Sequence, residues 1–148
     1  MIHNQNLKVV GHTSGPVTVG STATTTMVVD RRNYDYASVV VSKAPSAGTA
    51  FASVLKIEES DDNSSYANVT ALVAGGTGGF TIPAISVAGT SSASVVKLDV
   101  DTKARKRYLK VSYTPGASAT VAIAGRLSRA AESPATASDA NVLSWVRG

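Results

Sequence analysis

The sequence predicts an all-β domain, a β-sandwich or jelly-roll-like barrel of short antiparallel strands with an arm at each end. Three observations predict it. Short runs rich in Val, Thr and Ile recur between Gly, Pro, Asn and Ser punctuation. Several of these runs alternate apolar and polar residues with period 2, the signature of a half-buried strand. A helical period of 3.6 is almost absent from the first 130 residues.

The candidate strands follow in order. LKVV (Leu7–Val10) and PVTV (Pro16–Val19) are short. TTTMVV (Thr24–Val29) and ASVVVS (Ala37–Ser42) come next, the second reading as a buried strand. In SVLKIEES (Ser53–Ser60), Leu55 and Ile57 face one way and Lys56 and Glu58 the other. YANVTALV (Tyr66–Val73) follows an acidic turn, and the loop AGGTGG leads to FTIP (Phe80–Pro83). Val96, Leu98 and Val100 alternate with charged residues, as do Leu109, Val111 and Tyr113 with polar ones. Period 2 on both sides of a polar connection reads as an antiparallel hairpin. PGAS (Pro115–Ser118) supplies a turn before TVAIAGRL, where Val121, Ile123, Gly125 and Leu127 share a face. The division is then an N-terminal arm over 1–15, a β-domain over 16–130, and an arm or short helix over 131–148. Ser133 with Pro134 is a plausible start for that helix.

The chain has 148 residues, 43% apolar but only 5% aromatic. Its core must be built mostly from small side chains, each burying little area. A thin core of this kind leans on partner subunits, so a homo-oligomer is expected. No apolar run reaches the ~18–20 residues that span a bilayer as a helix. With no cysteine, disulfides, thiolate metal sites and a cysteine nucleophile are excluded. The N-terminal stretch has no early basic cluster or apolar core of a signal peptide, so synthesis in a cytoplasm is expected.

Enzyme chemistry finds little footing. GTSSA (Gly89–Ala93) lacks the last Gly of a nucleophile elbow, and His3 and His12 both lie in the expected N-terminal arm. AGGTGG has no Lys-Ser/Thr after it and no helix for a phosphate. EESDDNSSY fails the EF-hand template at Tyr66 and Leu72; Glu59, Asp61 and Asp62 leave room only for a looser Ca²⁺ site, and a solvated turn fits better. Asp99 and Asp101 share a strand face but lack the aromatic platforms of a glycosidase. No catalytic residue, metal or cofactor is expected.

Charge is concentrated in two places. DRRNYDY carries Arg31, Arg32, Tyr34 and Tyr36, and Lys103, Arg105, Lys106, Arg107 and Lys110 crowd eight positions. Arg–Tyr mixtures suit single-stranded nucleic acid, and they suit protein interfaces. A solvated strand edge, where charges discourage aggregation, is a third reading. Net charge is only +4, and Asp30, Asp35, Asp99 and Asp101 dilute both clusters. Mixed signs repel phosphate, which disfavours nucleic acid. The candidate protein-interface residues are Arg31, Arg32, Tyr34, Tyr36, Lys103, Arg105, Lys106 and, in the C-terminal arm, Trp145.

The segments STATTTMVVDRRNYDYASVVV, VLKIEESDD with YANV, VVKLDVDTKARKRYLKVSYTPG and AIAGRLSRAAESP resemble small virion proteins of tailed bacteriophages. LKIEESDD, RKRYLKVSYTPG and LSRAAESP carry most of the resemblance, which spans about Ser21 to Pro134. The resemblance implies a capsid decoration (cement) protein: small, β-rich, non-enzymatic, and made in a host bacterial cytoplasm for the virion. It implies a trimer bound where units of the major capsid protein meet, without a membrane partner. No contact residue is carried over. The rival readings are a tail or neck component and a carbohydrate- or receptor-binding β-sandwich.

Overall fold

The structure, a computed structural model, describes residues 7–12, 14–85, 93–131 and 134–144. Among these residues nine strands form two antiparallel sheets packed face to face. They are β1 (Lys8–Gly11), β2 (Val17–Val19), β3 (Thr25–Asp30), β4 (Tyr34–Lys43), β5 (Ala52–Ser60), β6 (Ala67–Val73), β7 (Ser94–Asp101), β8 (Tyr108–Pro115) and β9 (Ala119–Ala130). The five-stranded sheet runs β1-β9-β4-β7, with β2 also pairing β9; the four-stranded sheet runs β3-β8-β5-β6.

The expected hairpin of β7 and β8 is not formed. β7 pairs with β4, and β8 pairs with β3 and β5 in the opposite sheet. The Thr102–Arg107 connection is therefore an arch between sheets. The apolar faces are those the period predicts: Leu98 and Val100 point inward from one sheet, Leu109, Val111 and Tyr113 from the other. Period 2 specifies which side chains are buried, and a sandwich buries them equally well across the interior as within one sheet. PGAS likewise crosses between sheets. Of the sequence-adjacent strands, only β5 and β6 pair as a hairpin.

The core is built from Val, Leu and Ile of seven strands with Met27, Phe51 and Tyr113. Among the described residues Tyr113 is the largest fully buried side chain; its hydroxyl donates to the Phe51 carbonyl at 2.6 Å and its ring meets Phe51 edge-on at 5.5 Å. Gly125 lets β1 close on β9, since a Cβ there would lie 2.9 Å from the Ser38 carbonyl and 3.0 Å from Val10.

Other local expectations are refined. LKVV forms a strand, Lys8–Gly11, as its residues suggest, although it falls within the arm drawn over 1–15. FTIP is not a strand; Phe80 makes one isolated bridge to Ala74. AGGTGG closes on itself, with Gly75 N donating to Phe80 O and Phe80 N to Val73 O. Near the C-terminus, Thr136 and Asp139 cap one another around a single turn, and no helix is formed among the described residues. That segment lies along β1: Val9 N donates to Ala140 O at 2.9 Å, and Asn141 Nδ2 donates to Val9 O at 2.7 Å. Ser133 and Trp145 lie outside the described residues.

Candidate interaction surface at the basic pole

The strand order brings three connections to one end of the sandwich: Arg31–Asn33, Asp61–Tyr66 and Thr102–Arg107. Both basic clusters of the sequence therefore meet, although about 70 residues separate them. Asn33 takes the left-handed backbone (φ 69°) that turns β3 into β4. Thr102, fully buried, anchors the arch: its N–H donates to Asp35 O at 3.0 Å and its hydroxyl to Tyr34 O at 2.7 Å.

Four of the cations here face carboxylates of their own chain. Arg107 grips Asp30 through two nitrogens at 3.1 and 2.7 Å. Arg105 meets Glu59 at 3.6 Å, Lys106 meets Asp61 at 3.0 Å, and Lys103 approaches Asp35 at 3.9 Å. Arg31 donates to the carbonyls of Arg105 and Lys106 and so spans two loops. The Arg107 hydrogen bonds hold the Asp30 carboxyl below its ordinary range, and Asp61 holds the Lys106 ammonium above its own. Such partly exposed pairs are individually weak, about 0–1 kcal/mol. Their collective effect is to neutralise the pole and fix the relative positions of its loops.

Arg31 and Arg105 are thus spent internally. Lys103 and Lys106 remain largely exposed beside their partners, and the Arg32 guanidinium makes no ion pair among the described residues. Tyr34 is half-buried, and burial with the nearby Asp139 carboxylate raises its hydroxyl pKa. Tyr36 is exposed on the outer face of the five-stranded sheet. There it borders a shallow groove of about 340 Å³ with Ser38, Lys97, Asp99, Arg126 and Ser128. The structure gathers seven of the eight sequence candidates around this pole, with Trp145 outside the described residues.

The acidic turn is ordered from within. One Asp62 oxygen accepts from the Ser60 hydroxyl at 2.7 Å and from the N–H groups of Ser64 and Ser65 at 2.9 and 2.8 Å. These bonds pull the Asp62 pKa to about 2. Glu59, Asp61 and Asp62 therefore serve three separate partners, and no metal-binding cluster is found among the described residues.

Two polar features escape sequence reasoning. On the outer face of the four-stranded sheet, Glu58 accepts from Lys56 and Lys110 at 3.1 Å each and from Ser112 at 2.8 Å. Burial pushes its carboxyl up, but these three bonds outweigh it and leave the pKa lowered. Alternation places Lys56 and Glu58 together, while Lys110 and Ser112 join only through the β5–β8 register. Lys43, at the opposite pole, is 1% exposed, donates to Ser46 Oγ at 2.5 Å, and burial lowers its pKa. No helix among the described residues is long and apolar enough to cross a membrane.

No family model matches the chain, and no match to it is found among curated proteins.

Proposed function

We propose that this protein is a bacteriophage capsid decoration protein, a non-enzymatic part that binds the assembled lattice of the major capsid protein and other copies of itself. The observation that carries a protein-binding role is the neutralised basic pole. A surface meant for phosphate leaves its cations free, whereas here four carboxylates occupy them. Exposed Arg32, Lys103 and Tyr36 stand on this pre-ordered ground, and a surface that is already ordered loses less entropy on docking. The choice of a capsid partner rests on the phage-like segments of the sequence.

The mechanism is linkage. A protein that binds only the assembled shell stabilises that shell by mass action. A trimer presenting three copies of one contact to a repeating lattice gains avidity from weak individual contacts.

Co-sedimentation of the purified protein with expanded capsids, scored for copies bound, tests the reading. Saturation at roughly hundreds of copies per particle supports it, since a shell repeats its sites by symmetry. Saturation at about six or twelve copies points to the tail or neck instead. Absence of binding overturns it.

A further inference from the structure

The four sheet edges differ in how they are closed. β1 is covered by the C-terminal segment through Val9, and β2 is three residues long. β6 breaks register against β5, and β3 is tied at its start by His12 to the Thr25 hydroxyl. β7 has none of these devices. It is eight residues long, pairs with β4 in unbroken register, and contains no Pro or Gly. Its other edge has no strand partner among the described residues, and Val95 beside it is 60% exposed. A long regular edge of this kind is a template for another strand.

The backbone phase of that edge can be read. Thr102 N donates to Asp35 O, which continues the β4–β7 register by one pair. Hydrogen-bonded pairs alternate along an antiparallel ladder. The groups of Val96, Leu98 and Val100 therefore turn toward β4, and those of Val95, Lys97, Asp99 and Asp101 turn outward. From this the geometry points to β7 as a two-fold contact, in which the β7 strands of two copies of this chain pair antiparallel about Leu98.

Charge selects that register. Centring on Leu98 sets Lys97 opposite Asp99 of the second copy, and by symmetry Asp99 opposite Lys97. Val95 then faces Asp101, and Val96 faces Val100. Centring on Lys97 would put lysine against lysine, and on Asp99 aspartate against aspartate, which is destabilising. The Leu98 register also matches outward-facing residues with outward-facing residues, as the ladder requires. In the single chain Lys97 and Asp99 pair with each other at 2.8 Å. In the pair they form a four-charge cluster on the outer face, while the Val96, Leu98 and Val100 side chains of both copies join the two cores. This contact is isologous and does not depend on the capsid reading.

Two measurements on the full chain test it. Sedimentation equilibrium is expected to show self-association that Lys97→Glu weakens about tenfold or more, with the double swap Lys97→Glu, Asp99→Lys restoring it. Hydrogen exchange is expected to show the amides of Val95, Lys97, Asp99 and Asp101 protected at high concentration and open on dilution. A monomer at all concentrations overturns the proposal. So does an oligomer, trimer included, in which these four amides exchange freely. Association indifferent to Lys97→Glu overturns it equally.

Discussion

The two poles of the sandwich are closed by different physics. At the basic pole the loops meet through partly exposed ion pairs, such as Arg107 with Asp30, and through Arg31 reaching two carbonyls. At the opposite pole the chain closes by packing. Phe51 seals the end of the core against Tyr113, and Gly116 passes so near Ala50 that a Cβ would lie 2.6 Å from it. Solvent screens the first kind of contact and leaves the second intact. The comparison separates two tasks: the packed pole holds the fold, and the charged pole sets a surface.

The sharpest test of that division is a pair of truncations. Tyr113→Ala is expected to cost about 3–5 kcal/mol, because it empties a fully buried site and strands the Phe51 carbonyl. Arg107→Ala is expected to cost far less, because both partners are near 40% exposed and solvent screens the pair. Urea unfolding measures both. Equal losses would dissolve the distinction between the poles. High salt is expected to narrow the Arg107→Ala difference and leave that of Tyr113→Ala in place.

A second test lies in Lys43, the one charge buried at the packed pole among the described residues. It is 1% exposed with a serine hydroxyl for company, so its ammonium carries a desolvation cost that the ion pairs of the other pole avoid. Its folded pKa is lowered by burial, so the unfolded chain binds the proton more tightly. Stability is therefore expected to rise with pH between the lowered folded value and the ordinary 10.5. Lys43→Met is expected to raise stability at neutral pH by about 1 kcal/mol and to remove that slope. A destabilised Lys43→Met protein with the slope unchanged would mean that the ammonium is well solvated.

The sequence displays these features unequally. Strand positions were legible because Val, Thr and Ile alternate with polar residues, and alternation fixes which side is buried: Leu55, Ile57, Val121 and Ile123 are all inside. Pairing was not legible. The Val96–Val100 and Leu109–Tyr113 runs look like hairpin arms, and nothing local distinguishes a turn within a sheet from an arch between sheets. The basic residues were legible as a group, but their neutralisation was not. Asp30 meets Arg107 and Glu59 meets Arg105 only because β3, β5 and β8 are neighbours. Glu58 and Lys43 were illegible for the same reason, since polar types on a strand imply solvent unless tertiary contacts cover them.

The smallest expected effect concerns what orders the charged pole: its ion pairs, or bonds local to each loop. Asp62 separates the two, because its carboxylate serves its own turn. Its folded pKa, about 2, lies below the ordinary 3.8, so its contribution is complete above 3.8 and is lost as pH falls through about 2. The Ser64 and Ser65 amide resonances are expected to titrate with a midpoint near 2, and Asp62→Asn to speed their exchange while core amides stay unchanged. A midpoint near 3.8 would leave the turn without these bonds in solution. If the amides instead shift when Lys106→Ala removes the ion pair to Asp61, the turn is held by charge. The basic pole would then be one cooperative electrostatic unit rather than self-ordered loops that place their charges.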